Sequence, residues 1–156
     1  MTLRLLILVL VFSGAAWSQT VEPADYARYE GYYTQDISQG KQFDDFEQME
    51  LHVDVSSKGA KYLIGVVRFF TDLGVTKANK DCACSLHQLL ISKDSLKFRS
   101  SECFGESYQF KGRFLRTPLG IRGRERQPVL EGVLLHWKGR RLIKQAVVRF
   151  LWSEGC

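Results

Sequence analysis

Met49-Glu50-Leu51-His52-Val53-Asp54-Val55 decides the fold class of this chain, because its apolar and polar residues alternate strictly. A period of two predicts a half-buried β-strand whose polar face points outward. Residues 108–114, Tyr-Gln-Phe-Lys-Gly-Arg-Phe, repeat the pattern. No stretch combines a helical period of 3.6 with capping residues. The sequence therefore predicts an all-β domain.

Further strands are indicated by segments rich in β-branched and aromatic residues: Tyr26–Tyr33, Tyr62–Phe70, Leu86–Ile91, Leu96–Phe98, Val129–Trp137 and Leu142–Trp152. Polar turn sequences separate several of them, at Ser56–Gly59, Ser92–Ser95 and Lys138-Gly139. We expect residues 35–47 to form a short helix or a long loop, and residues 72–81 to form a helical turn. About eight sequential strands with short connections predict one antiparallel meander. Such a sheet protects its edges by closing into a barrel, and a two-sheet β-sandwich is the alternative.

The cysteines add a check on one hairpin. A two-residue turn at Lys93-Asp94 pairs Leu90 with Lys97, Gln88 with Arg99, His87 with Ser100, Leu86 with Ser101 and Cys84 with Cys103. Opposed Cα atoms of neighbouring strands lie about 4.5–5.5 Å apart, a separation that suits a disulfide bond. The register thus predicts Cys84–Cys103, and Cys82 is left to pair with Cys156. Metal binding by Cys82 and Cys84 is disfavoured, because their spacing is short and no matching distal pair exists.

The N-terminus predicts export. Arg4 precedes an apolar run, Leu5–Phe12, and small residues at Ala16 and Ser18 suit signal peptidase. The run is shorter than the roughly 20 residues of a membrane span. We therefore expect residues 1–18 to be a cleaved signal peptide and residues 19–156 to form a single all-β domain with two disulfides. The expected location is periplasmic or secreted, with no membrane span after cleavage, and an even cysteine count fits an oxidising compartment.

No residue is predicted to be catalytic, and no cofactor or metal site is predicted. The chain lacks a G-x-S-x-G elbow, and its histidines lie in no context that orients a nucleophile. His52 is expected on an outward strand face, His87 in a partly buried position, and His136 at the rim beside a hairpin turn. The acidic run from Asp44 to Glu50 matches no calcium loop.

Charge is distributed unevenly along the chain. Residues 19–106 hold ten basic and 14 acidic side chains, whereas residues 107–156 hold 11 basic and three acidic ones. Two basic segments form the predicted binding site: Arg116, Arg122, Arg124 and Arg126 in a long loop that ends at Pro128, and Lys138, Arg140 and Arg141 in a turn. Guanidinium groups bind carboxylate and phosphate groups through paired hydrogen bonds. An anionic ligand, a lipid head group or an acidic protein is the expected partner, solvated surface is the competing interpretation, and export disfavours nucleic acid.

The predicted architecture is analogous to that of small ligand-binding barrels such as the lipocalins. Gly31-Tyr32-Tyr33, near the first strand, resembles the Gly-x-Trp sequence near the start of lipocalins. Fold analogy says little about function. The leading hypothesis is an exported, non-enzymatic binding module that takes an apolar ligand inside the barrel or an anionic surface at the basic loop. The alternatives are an inhibitor or immunity-type protein acting on a secreted enzyme, and a hydrolase or isomerase without a recognisable motif.

Overall fold

The computed structural model describes residues 23–71, 80–118 and 127–154. Eight antiparallel strands form one closed barrel in which every strand pairs with its neighbours in sequence. The strands are β1 (Gly31–Gln35), β2 (Phe46–Val55), β3 (Lys61–Thr71), β4 (Lys80–Ile91), β5 (Ser95–Ser100), β6 (Glu106–Phe114), β7 (Leu130–Lys138) and β8 (Arg141–Ser153). Residues Pro23–Arg28 and Ile37–Gln39 form short 3-10 helices.

Closure confirms the predicted barrel and rules out the sandwich, since β1 pairs with β8 from Tyr32↔Ser153 to Gln35↔Phe150. The barrel has two ends. The upper end holds residues 36–45, 101–105 and 139–140, which connect β1 to β2, β5 to β6 and β7 to β8. The lower end holds the turns at 56–60 and 92–94, residues 115–118 and 127–129, and the first 3-10 helix.

The predicted first strand, Tyr26–Tyr33, is wrong at its beginning. Residues Pro23–Arg28 form a 3-10 helix, and β1 starts only at Gly31. Proline favours the first position of a helix because its φ is already restricted, and Asp25 pairs with Arg28 one turn later at 3.2 Å. Strand β4 also differs from the prediction, since it begins at Lys80 and not at Leu86.

The β4–β5 hairpin confirms the predicted turn but not the whole register. Near the turn Leu90 pairs with Lys97, as expected. A bulge then shifts the pairing by one residue, so that His87 faces Arg99 and Leu86 faces Ser100. Gln88 lies in this bulge with a φ of 49°. The predicted pairs His87–Ser100, Gln88–Arg99 and Leu86–Ser101 are therefore wrong, because an inserted residue cannot be read from alternation.

The predicted disulfide bond Cys84–Cys103 is present, with its Cα atoms 6.1 Å apart. Cys103 has moved off the strand into the β5–β6 connection, where it bridges to Glu106, so the bond tolerates the shifted register. Cys82 is buried in the barrel wall. Cys156 lies outside the described residues, and the bond Cys82–Cys156 stays a prediction. The same holds for the signal peptide at residues 1–18. Of the residues 72–81 expected to form a helical turn, Lys80 and Asp81 begin β4 instead, and residues 72–79 lie outside the described residues.

Aromatic side chains fill the barrel across its width. Phe46 of β2 contacts Tyr108 of β6 at a ring-centroid distance of 5.4 Å and Phe150 of β8 at 5.8 Å. Phe69 of β3 contacts Tyr108 at 5.3 Å. Strands β2 and β6 are four strands apart in a barrel of eight, so rings that touch between them span the interior. All four of these side chains are fully buried.

Two glycines make room for this packing. Gly112 and Gly132 face each other on β6 and β7. A Cβ atom at Gly132 would lie 2.4 Å from the Gly112 Cα and 2.7 Å from the Phe110 ring. The absence of both Cβ atoms therefore lets the Phe110 ring lie flat over the wall, where it meets Phe150 at 5.5 Å.

Candidate functional site

The long basic loop begins at the lower end of the barrel. Arg116 is exposed there, and its guanidinium donates a hydrogen bond to the side-chain carbonyl of Gln127 across the base of the loop. Arg122, Arg124 and Arg126 lie outside the described residues, so their arrangement stays a prediction. The second basic segment, Lys138, Arg140 and Arg141, is exposed at the upper end. Arg116 is thus separated from the second segment by the length of the barrel.

Basic residues on the outer face of β5 and β6 lie between these two segments. Lys97, Arg99, Lys111 and Arg113 are all exposed and all outward. Lys97 and Lys111 are directly opposed across the two strands. A surface cavity of about 370 Å³ is lined by both Arg99 and Gly139, which shows that this face reaches the β7–β8 turn.

We call the resulting surface the basic strip. From the lower to the upper end it consists of Arg116, Arg113, Lys111, Lys97, Arg99, Lys138, Arg140 and Arg141. It follows β6, whose nine residues extend for roughly 30 Å at the usual rise per residue. The strip therefore connects Arg116, the described residue of the first basic segment, with the second basic segment.

Most of the strip is not neutralised by neighbouring carboxylates. Arg113 pairs with Glu131 at 3.3 Å, and Glu131 also accepts from Arg149 at 2.7 Å. Those hydrogen bonds, first from Arg149 and then from Arg113, hold the pKa of Glu131 below its usual range. Within the described ranges, Lys97, Arg99 and Lys111 form no ion pair.

Exposed apolar side chains flank the paired lysines. On one side Leu90 pairs with Lys97 and is 64 % exposed. On the other side Lys111 pairs with Val133, which in turn pairs with Val147, and Val147 is 63 % exposed. One row of cross-strand partners around the outer wall thus consists of an apolar side chain, two lysines and two further apolar side chains. The sequence did not predict this surface, because charges were counted separately for residues 19–106 and 107–156, which puts Lys97 and Lys111 in different groups. The alternation along β6 did predict that Lys111 and Arg113 point outward.

A second cluster lies at the upper end, where Asp45, Glu106 and His136 converge. The His136 Nε2 atom lies 3.1 Å from a Glu106 carboxylate oxygen and forms a hydrogen bond with it. The Nδ1 atom lies 3.2 Å from Asp45 Oδ2. The side chains of His136 and Glu106 are 9 % and 11 % exposed, whereas that of Asp45 is 33 % exposed. Asp45 therefore connects a buried histidine to solvent.

Tyr108 orients this cluster. Its ring stacks on the His136 imidazole with centroids 4.6 Å apart and planes inclined by 13°. Its hydroxyl donates a 3.0 Å hydrogen bond to Asp45 Oδ2. Burial, together with the neighbouring Asp45 carboxylate, raises the pKa of Tyr108 far above its usual range, so the hydroxyl remains a donor.

Each member of the cluster lies on a different segment at the upper end of the barrel. Glu106 begins β6 directly after the turn that the Cys84–Cys103 disulfide anchors. His136 pairs with Tyr108, next to a bulge between His136 and Trp137. Asp45 ends the long β1–β2 connection. Three segments that are distant in sequence therefore meet only when the barrel closes.

The predicted rim position of His136 is wrong, because its ring is buried inside the barrel. The alternation did carry this signal, since His136 has the same parity as the buried Leu134. His87 was expected to be partly buried, but it is exposed because the β4 bulge turns it outward. His52 lies on the outer face of β2 as predicted, between Glu30 at 3.9 Å and Glu50 at 3.4 Å.

Comparison with known proteins identifies no family model, no curated protein and no solved structure that matches this chain. Across the described part of the chain, no helix has the length and apolar character needed to cross a membrane.

Proposed function

We propose that this chain is an exported, non-enzymatic binding module whose basic strip binds an acidic protein. The observation that carries the proposal is the direct opposition of Lys97 and Lys111 on an exposed face, with no ion pair to either among the described residues. Like charges that face each other across two strands destabilise a sheet. A surface selected only for solubility interleaves both signs of charge. Binding to an anionic partner provides the compensation that the isolated domain lacks.

The flanking residues favour a protein as the partner. Protein interfaces combine an apolar centre with polar and charged surroundings. Leu90 and Val147 supply exposed apolar surface on either side of the paired lysines, and the cavity beside Arg99 can receive a side chain of the partner. A purely electrostatic contact with a lipid head group would make no use of these apolar positions.

The packing of the barrel supports an outer binding surface over an inner one. Rings from β2, β3, β6 and β8 touch across the interior, which leaves an apolar ligand no space at that level. Arg116 carries the strip to the base of the loop, and we propose that Arg122, Arg124 and Arg126 contribute to the same binding surface. Export, inferred from residues 1–18, places the partner outside the cytosol and disfavours nucleic acid.

The test is a titration of the mature chain with poly-L-glutamate as a model acidic protein, at increasing salt. The variant K97Q/K111Q removes the opposed pair, and K58Q/K61Q removes two exposed lysines of the β2–β3 hairpin and has the same net charge. We expect K97Q/K111Q to weaken binding much more than K58Q/K61Q, and binding to decline as salt screens the charges. Equal weakening by the two variants would contradict the proposal. Tighter binding to anionic vesicles through the same lysines would confirm the binding surface but show that its partner is a lipid and not an acidic protein.

A further inference from the structure

We propose that Asp45, Glu106 and His136 bind a divalent transition-metal ion, with Zn²⁺ as the best fit. This inference does not depend on the opposed pair Lys97 and Lys111, which lies on the outer wall, whereas the metal site lies inside the upper end. Imidazole nitrogen and carboxylate oxygen are the donors that Zn²⁺ accepts alongside thiolate. One nitrogen and two carboxylates from separate segments match the three protein ligands that leave a fourth position for water.

The spacing of the ligand atoms supports the site. Atoms from the three side chains can be chosen that all lie within 4.8 Å of one another. Zn²⁺ holds such ligands at about 2.0–2.2 Å, so their tetrahedral separation is about 3.4 Å. Tyr108 stacks on the His136 ring and holds it in place beside both carboxylates.

The charge of the cluster also favours a cation. Two carboxylates face one histidine, so the three side chains are net negative whether the imidazole is neutral or protonated. An ion pair buried without full compensation is costly, and a bound dication would supply the missing positive charge. One ring nitrogen of His136 would bind the metal together with the two carboxylates.

Access to the site runs past Asp45. Its side chain is one-third exposed, whereas those of Glu106 and His136 are almost completely buried. An ion can therefore enter from the upper end, and water can complete its coordination on the Asp45 side. The Cys84–Cys103 disulfide anchors the turn before Glu106, so that ligand is held in position before the metal arrives.

The experiment uses the mature, oxidised chain, stripped with a chelator and titrated with ZnCl₂ by isothermal calorimetry. We expect one Zn²⁺ ion per chain, a raised thermal midpoint, and about tenfold or greater weakening in D45N and in E106Q. H52Q is the matched control, because His52 also lies between two carboxylates but on the outer wall, and it should leave affinity unchanged. Titration with Co²⁺ should give the absorption bands of a tetrahedral site in the wild type and lose them in D45N.

Two results would overturn the proposal. The first is the absence of saturable Zn²⁺ binding to the wild type, which would leave the cluster as a structural ion pair around His136. The second is wild-type affinity in D45N together with loss of binding in H52Q, which would place the ion on the outer wall. Asp45 is the most exposed ligand, so D45N retains the fold even if E106Q does not, and near-ultraviolet circular dichroism checks this directly.

Discussion

Lys97 and Lys111 are opposed partners on the outer faces of β5 and β6, and the described residues provide neither with an ion pair. The two strands belong to sequence regions of opposite charge balance, one acidic and one basic. The barrel brings them together and so produces the basic strip. This opposition of like charges is the basis of the proposed binding surface.

The filled interior gives the first prediction. Phe46→Ala removes a ring that contacts both Tyr108 and Phe150, and a loss of about 3–5 kcal/mol in unfolding free energy is expected. The space that it leaves should bind a small apolar molecule such as benzene, because apolar cavities of this kind stay dry. Chemical denaturation and ligand-induced shifts in the thermal midpoint measure the two effects. Benzene binding to the wild type with equal affinity would show that the barrel is hollow.

The disulfide bond gives the second prediction. Cys84 and Cys103 are 19 residues apart in sequence, and a bond that closes such a loop stabilises a fold by about 2–4 kcal/mol. The double variant C84A/C103A should lose that amount in denaturant unfolding. Peptide mapping without reduction should recover the two cysteines in one linked fragment. Two alkylatable thiols at these positions in the native, oxidised protein would refute the assignment.

Glu50 gives a prediction about acid stability. Burial alone would raise its pKa, but hydrogen bonds from Arg68, Gln48 and His52 outweigh burial and lower it from 4.5. A carboxyl with a lowered pKa in the folded state contributes stability above the unfolded value, and that contribution is lost as pH falls through the folded value. The wild type should therefore lose stability below about pH 4.5.

The variant E50Q isolates this effect. It should be less stable than the wild type at neutral pH, because Arg68 loses the carboxylate charge that it pairs with, and its stability should fall less steeply on acidification. Denaturation midpoints measured across the acid range provide the comparison. Parallel curves for the two proteins would mean that other carboxyls determine acid unfolding.

Two tyrosines give a prediction about alkaline pH. Burial raises the pKa of Tyr33 and of Tyr108 far above 10, with added contributions from Tyr29 and from Asp45 respectively. A raised pKa means that stability is complete below the unfolded value near 10 and is lost as pH rises further. Of the six tyrosines, these two should form tyrosinate only on unfolding. Their ionisation before the loss of native circular dichroism would contradict the described packing.

The sequence predicted the barrel correctly because alternation reports which face of a strand is buried, and because consecutive strands leave few ways to protect the edges. It could not predict the bulge at Gln88, since an inserted residue leaves the local composition unchanged. The start of β1 was misplaced because Tyr26–Arg28 has enough aromatic character for a strand, whereas Pro23 favours a helical turn.

The candidate sites were harder to predict for a different reason. Asp45 lies in the β1–β2 connection, Glu106 on β6 and His136 on β7. These segments meet only in the closed barrel, and no local pattern reports such a distance. The alternation along β7 is consistent with an inward His136, whereas its position next to a turn favours the rim, which is what the sequence predicted. Lys97 and Arg99 were assigned to the acidic part of the chain, although the pairing of β5 with β6 places them beside Lys111 and Arg113.

The most direct test of the basic strip is the variant K111E, compared with K61E for binding to poly-L-glutamate and for thermal stability. Each variant changes the net charge by the same amount, but only K111E places a carboxylate opposite Lys97. We predict that K111E is as stable as the wild type or more stable, since a favourable cross-strand pair replaces a repulsive one and contributes roughly 0.2–1 kcal/mol. We also predict that K111E loses most of its binding while K61E retains it. Equal binding by K111E and K61E, whether retained or lost, would contradict the account.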